Sequence, residues 1–137
     1  MDENAVVEAI CKHLTNTGYA VLQRLSTTSQ GIDIIAKHPN KPGRLLIEAK
    51  GGTSSRVGSP RYGKPYDENQ VFDRVGKGFY TAGCLYGQHG ANGDEVALAF
   101  PDLPLFRKYI NPVKPALVKL GITVFLADPR TQHVIVF

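Results

Sequence analysis

With 137 residues, 42% of them apolar and 20% charged, the chain has the makeup of one globular domain, long enough to bury a core without staples. Two cysteines, Cys11 and Cys84, with neither a C-x-x-C nor a matching histidine pair, argue against a disulfide framework or a zinc site, and the lack of a long apolar segment or signal-peptide pattern leads us to expect a cytoplasmic protein with no membrane association. A formal charge of +4 and an isoelectric point near 9.1 favour an anionic partner.

From Glu3 to about Thr15, Val6, Val7, Ile10 and Leu14 recur at helical spacing behind a candidate cap at Asp2. At about 100° per residue, Glu3 falls on the side of Ile10 and Leu14, whereas Glu8 lies toward the polar side. Asn16-Thr17-Gly18 ends this helix, Tyr19 to Leu25 alternates as a first strand, and Ser26 to Gln30 is a polar connector. Two apolar runs follow, Gly31 to Lys37 and Arg44 to Gly52. The turn formers His38-Pro39-Asn40-Lys41-Pro42-Gly43 join them, so the pair reads as an antiparallel hairpin.

The stretch from Gly51 to Tyr66 has no periodicity, and a loop of that length inside a compact domain is usually functional or disordered. Its glycines would let backbone approach a ligand. Arg56, Arg61 and Lys64 can take phosphate oxygens, and Tyr62 or Tyr66 could stack on a base. Asp67-Glu68-Asn69-Gln70 has the pattern of a capping box and opens a helix predicted to run to about Thr81, with Val71, Val75, Phe79 and Ala82 inward. Gln70, Arg74 and Lys77 form a polar, mostly cationic stripe on another side, in which Arg74 and Lys77 read as phosphate contacts.

Cys84 to Asp94, containing His89, reads as a glycine-rich loop, and Glu95 to Phe100 as a buried strand. Leu103 to Leu120 reads as helix broken by Pro104, Pro112 and Pro115 and stopped at Gly121. A closing hairpin, Ile122 to Ala127 and Gln132 to Phe137, turns at Asp128-Pro129-Arg130. The fold class is therefore α/β: a single domain over residues 1–137, with a central mixed β-sheet flanked by helices on both sides.

Three charges interrupt the apolar hairpin runs: Asp33, Glu48 and Lys50. If the loop is symmetric about Asn40 and Lys41, residues whose numbers sum to 81 face each other, which pairs Asp33 with Glu48 and Ile35 with Leu46. Opposite residues have Cβ atoms about 4.5 to 5.5 Å apart, and Lys50 points the same way as Glu48. A slip of one residue would send the acids to opposite faces. Two carboxylates that close repel unless a cation joins them or one is protonated. Hard oxygen ligands suit Mg²⁺, and Mn²⁺ as its substitute. A lysine beside such an ion can position or help deprotonate an attacking water, the equipment of phosphodiester hydrolysis.

Gly31-Ile32-Asp33 followed by Ile47-Glu48-Ala49-Lys50, the chain's one E-x-K, resembles the restriction-endonuclease-like nucleases with the PD-(D/E)xK motif. The Gly-Ile-Asp variant is most similar to archaeal Holliday-junction resolvases and to restriction enzymes acting on methylated DNA, with Ile32 where the usual proline stands. The resemblance implies a metal-dependent endonuclease acting on DNA. In that reading Asp33, Glu48 and the Ala49 backbone carbonyl hold the metal, and Lys50 handles the water. Gln70 matches a residue that assists on the following helix. Related families carry a metal-linked Glu on the first helix; here that position falls near Val7, with Glu8 nearest in sequence and Glu3 better placed by facing. The resemblance also allows for a homodimer, since cutting two strands needs two sites, or for a larger assembly. Two alternatives stay open: a nucleic-acid-binding module of this fold without catalysis, and a non-nuclease domain whose polar hairpin face is incidental.

Overall fold

The computed structural model describes residues 1–26, 28–54 and 58–137. Helix α1 (Glu3–Asn16) starts where the Asp2 carboxylate accepts the Ala5 N–H at 2.9 Å, and it buries Val6, Ala9, Ile10 and Leu14. Six strands follow the predicted runs: β1 (Ala20–Arg24), β2 (Ile34–Lys37), β3 (Arg44–Ala49), β4 (Glu95–Pro101), β5 (Thr123–Ala127) and β6 (Val134–Val136). Between them stand α2 (Glu68–His89), α3 (Pro104–Ile110) and α4 (Lys114–Leu120).

The strands form one mixed sheet in the order β1-β2-β3-β4-β5-β6. β3, β4 and β5 run parallel in the middle, and β1, β2 and β6 are antiparallel to their neighbours. Since successive strand residues point to opposite faces, the central strands are apolar on both. Ile34, Ala36, Ile47, Ala49, Ala97, Ala99 and Phe125 pack with α1, while Leu46, Leu98, Phe100 and Leu126 pack with the other helices. Each such large side chain removed from water contributes about 1.5–3 kcal/mol. This is the mixed, helix-flanked sheet expected from the sequence. No described helix is long and apolar enough to cross a membrane.

Several expectations need correction. The hairpin strands are shorter than predicted: β2 begins at Ile34, just after Asp33, and β3 ends at Ala49. Helix α2 runs through the segment read as a loop, reaching His89. A Cβ on Gly83 or Gly87 would meet nothing within 4 Å, so these glycines face outward, while Ala82 and Leu85 on the opposite side anchor the extra turns. Packing thereby overrides poor local propensity. Gly78 takes a fully inward position against Phe100 and Leu98, and Phe79, expected inward, is half-buried and packs on the same core. Pro104 and Pro115 do not break a helix; they open α3 and α4, where a missing N–H costs nothing. Gly121, at φ 72°, closes α4 as predicted.

Candidate active site at the end of the central strands

The β2–β3 register pairs Ile34 with Ile47 and Ile35 with Leu46, so each pair sums to 81 and the next step outward sets Asp33 against Glu48. Asp33 is held from three directions. Its Oδ2 accepts the Ala49 N–H at 2.8 Å, its carbonyl accepts the Leu25 N–H at 2.9 Å, and Gln23 Nε2 donates to the adjacent Ile32 carbonyl at 2.8 Å. With the Ile32 carbonyl taken by a side chain, the Asp33 carboxylate serves as acceptor for the peptide that β2 would otherwise have bonded. That substitution explains why the strand starts only at Ile34, past Asp33. Gly31, at φ 127°, makes the approach to this corner.

Glu48 is the one buried charged residue among those described, at 8% exposure. Its Oε1 pairs with Lys50 Nζ, and the Lys50 main-chain N–H is fixed by the Ala99 carbonyl of β4 at 2.9 Å. Burial pushes the Glu48 carboxyl up to about 7; the Lys50 ammonium opposes this rise, and the Asp33 carboxylate adds to it. A buried ion pair contributes little net stability after desolvation, so packing alone does not call for these charges here. Strongly perturbed carboxyls of this kind cluster at functional sites.

Of the two carboxylates expected from the first helix, Glu3 is the one brought to this corner. Its carboxyl is raised by burial, with Lys50 and Arg74 lowering it and Asp33 raising it. Glu8 is exposed and lines a separate groove with Cys11, Thr15 and Arg24, away from the acid pair. The α1 N-terminus is seated by the glycines after Lys50. A Cβ on Gly51 would lie 2.3 Å from the Glu3 nitrogen, and the Gly52 N–H donates to the Met1 carbonyl at 2.9 Å. At Gly51 the close approach read from the sequence as room for a ligand is therefore used by the protein's own helix.

The remaining expected residues are spread over α2 and the preceding loop. The Gln70 side chain closes the capping box: its Oε1 accepts the Asp67 N–H at 3.0 Å, while Asp67 Oδ1 accepts the Gln70 N–H at 2.9 Å. One of the two lone pairs of the Gln70 oxygen is thus engaged in the cap. Arg74 is half-buried and donates from Nη2 to the Tyr66 hydroxyl at 3.1 Å. Lys77 and Lys64 are exposed, and so is Arg61, whose Nη2 bonds its own loop at the Pro65 carbonyl, 2.9 Å away. Arg56 lies outside the described residues. The Tyr66–Arg74 contact joins residues eight apart that the sequence reading treated separately, and no periodic signal marks it.

The donor set fits a hard divalent cation. Asp33, just ahead of β2, and Glu48 on β3 present carboxylate oxygens, and the Asp33 carboxylate disfavours the Glu48 charge, which a cation would relieve. No cluster of three or more His, Cys, Asp or Glu side chains able to hold a metal is found among the described residues. Two carboxylates suffice for Mg²⁺, which keeps several waters and takes further ligands from substrate phosphate. Among the described residues, no side chain and no loop N–H bonds the Ala49 carbonyl, the expected backbone ligand.

No protein-family model matches the chain, and no curated protein matches it. Two solved structures share its architecture over 96% of this chain and of theirs. One is an XisH family protein from Nostoc punctiforme PCC 73102, 13% identical with a TM-score of 0.53; the other is an fdxN element excision controlling factor protein from Anabaena variabilis, 14% identical with a TM-score of 0.54. At these identities the likeness is one of fold alone.

Proposed function

We propose that the chain is a metal-dependent endonuclease acting on DNA phosphodiesters. The observation that carries this reading is the convergence of Asp33, buried Glu48 and Lys50 at the ends of adjacent strands, in a chain of net charge +4. Asp33 and Glu48, with the Ala49 carbonyl, would hold Mg²⁺ or Mn²⁺, which when bound supplies Lewis-acid stabilisation of charge on the phosphate. Lys50 Nζ, a donor already beside Glu48, orients the attacking water and offsets negative charge building on the phosphoryl oxygens. Glu3 adds a third negative group at the rim of the pair. Arg74, with Lys77, Arg61 and Lys64, contacts the backbone phosphates. Gln70 serves the helix cap and is left out of the hydrolytic set.

Incubation with supercoiled, linear, branched and methylated DNA plus Mg²⁺ or Mn²⁺ tests this. Cleavage by the wild type and loss of it in Lys50→Ala are expected, and equal activity in the two would overturn it. Preference for branched or methylated DNA would carry the finer assignment suggested by Gly31-Ile32-Asp33, to the resolvase-like or methyl-directed branch. Two nicks per duplex would fit a homodimer.

The second reading is a DNA-binding subunit of a larger DNA-processing assembly, without its own catalysis. The direct Lys50–Glu48 pairing favours it, and so does the name of the Anabaena protein, an excision controlling factor. Metal-independent binding that survives Asp33→Ala would select this reading.

A further inference from the structure

We propose that Tyr66 is a positioning residue for phosphate recognition: its hydroxyl and ring together fix the Arg74 guanidinium, beside Glu3 at the rim of the acid pair, as a pre-oriented fork for a phosphodiester oxygen. This rests on the DNA-directed reading above.

Tyr66 is tied to the active strand through its backbone. Its N–H donates to the Gly52 carbonyl at 2.9 Å, two residues beyond Lys50, and an isolated bridge between Thr53 and Pro65 continues the pairing. Its ring packs on the core that holds Val71, Phe100 and Phe106, so the phenol stands on rigid ground. From there it contacts Arg74 in two ways. The hydroxyl accepts from Nη2 at 3.1 Å, and the ring centroid lies 5.0 Å from the guanidinium carbon.

What distinguishes Arg74 is the nature of its partner. Arg44 is committed to Asp94 and Arg107 to Asp102, each through a direct ion pair. Arg74 has no direct ion pair among the described residues; a neutral phenol orients it, and its charge acts on Glu3 only at longer range. Its remaining N–H groups are donors in a planar fork that matches phosphate geometry, held in place before the ligand arrives. An arginine needed only to tie α2 to the loop would gain more from a carboxylate.

The test is a double-mutant cycle on binding of a short fluorescein-labelled DNA duplex, read by anisotropy in Ca²⁺ with wild type, Tyr66→Phe, Arg74→Ala and the double variant. Tyr66→Phe keeps the ring and removes the hydroxyl. It is expected to weaken binding about three- to tenfold in the wild-type background and to have no effect once Arg74 is gone. Arg74→Ala is expected to flatten the dependence of log K on log salt by about one unit. The Arg74 Nε–H resonance, assigned by its loss in Arg74→Ala, should report a rigid side chain in wild type and a mobile one in Tyr66→Phe. Equal effects of Tyr66→Phe in both backgrounds, an unchanged Arg74 resonance, or no DNA binding by the wild type would overturn the proposal. Coupling in binding without Mg²⁺-dependent cleavage by the wild type would leave the positioning role standing and sink the hydrolytic reading. Cleavage without coupling would do the reverse.

Discussion

The Asp33 carboxylate accepts the main-chain N–H of Ala49 at 2.8 Å, so the acid ahead of β2 is fixed by the residue between Glu48 and Lys50 on β3. One hydrogen bond thereby sets the spacing of all three charged side chains.

Replacing Asp33 should separate its two roles. Asp33→Asn keeps an acceptor for Ala49 and removes the charge, so Mn²⁺ binding measured by calorimetry is lost while urea stability changes by less than about 1 kcal/mol. Asp33→Ala removes both and leaves the Ala49 N–H unpaired, which costs about 1–3 kcal/mol in urea unfolding. Mn²⁺ bound by Asp33→Asn with wild-type affinity would remove Asp33 from the metal site.

Glu48 makes stability depend on pH in an unusual direction for a carboxylate. Folding raises its carboxyl from the ordinary 4.5 to about 7, so the folded protein holds a proton that the unfolded chain has released. Its contribution is full below the ordinary value and is lost as pH rises through about 7. Thermal melts across this range without metal should therefore show the midpoint of wild type falling relative to Glu48→Gln. Mg²⁺, which favours the ionised carboxylate, should cancel the fall. Parallel pH profiles for the two proteins without metal would contradict a Glu48 carboxyl raised by burial.

Two glycine substitutions should have opposite signs. In Gly51→Ala the new Cβ would meet the Glu3 nitrogen at 2.3 Å and the Asp2 carbonyl carbon at 2.7 Å, both backbone atoms that cannot move without shifting α1. A loss of about 1–3 kcal/mol and of site function is expected. Gly83 lies inside α2 with open space around it, and Gly83→Ala should stabilise by about 0.5–1 kcal/mol. Urea titration of both variants checks the pair.

Asp94 links the starts of β3 and β4. Its Oδ1 accepts the Arg44 N–H and its Oδ2 the Arg44 Nη2, both at 2.9 Å, and its side chain is 7% exposed. The Arg44 guanidinium and amide hold its carboxyl below the usual aspartate value. Its contribution is therefore present above that usual value and is lost as pH falls through the lowered one. Asp94→Ala should cost about 1–3 kcal/mol at neutral pH, and the gap to wild type should narrow in acid, as measured by urea unfolding at several pH values.

Much of this architecture could be read locally. The apolar periods and the turn residues at His38 to Gly43 specify a hairpin, and the symmetric loop gives the register that sets Asp33 against Glu48. Cap chemistry at Asp2 and Asp67 marks two helix starts, because the bonds involved span three residues. The last third of α2 was hidden, since Gly83 and Gly87 carry a loop signature and only the burial of Ala82 and Leu85 reveals the helix. Prolines 104 and 115 were ambiguous for a similar reason: the same residue that breaks a helix interior opens its first turn.

By itself the sequence determined the sheet order of the hairpin, the identity of the acid pair and its lysine, and the alternation that sends them to one face, because all of these follow from bonds and spacings short along the chain. Only the tertiary structure decided that Glu3 and not Glu8 lies beside them, that Gly51 makes room for α1, and that Tyr66 contacts Arg74. Those outcomes depend on how α1, the loop after Lys50 and α2 pack around the end of one sheet. No local period encodes the meeting of segments that lie far apart in the chain.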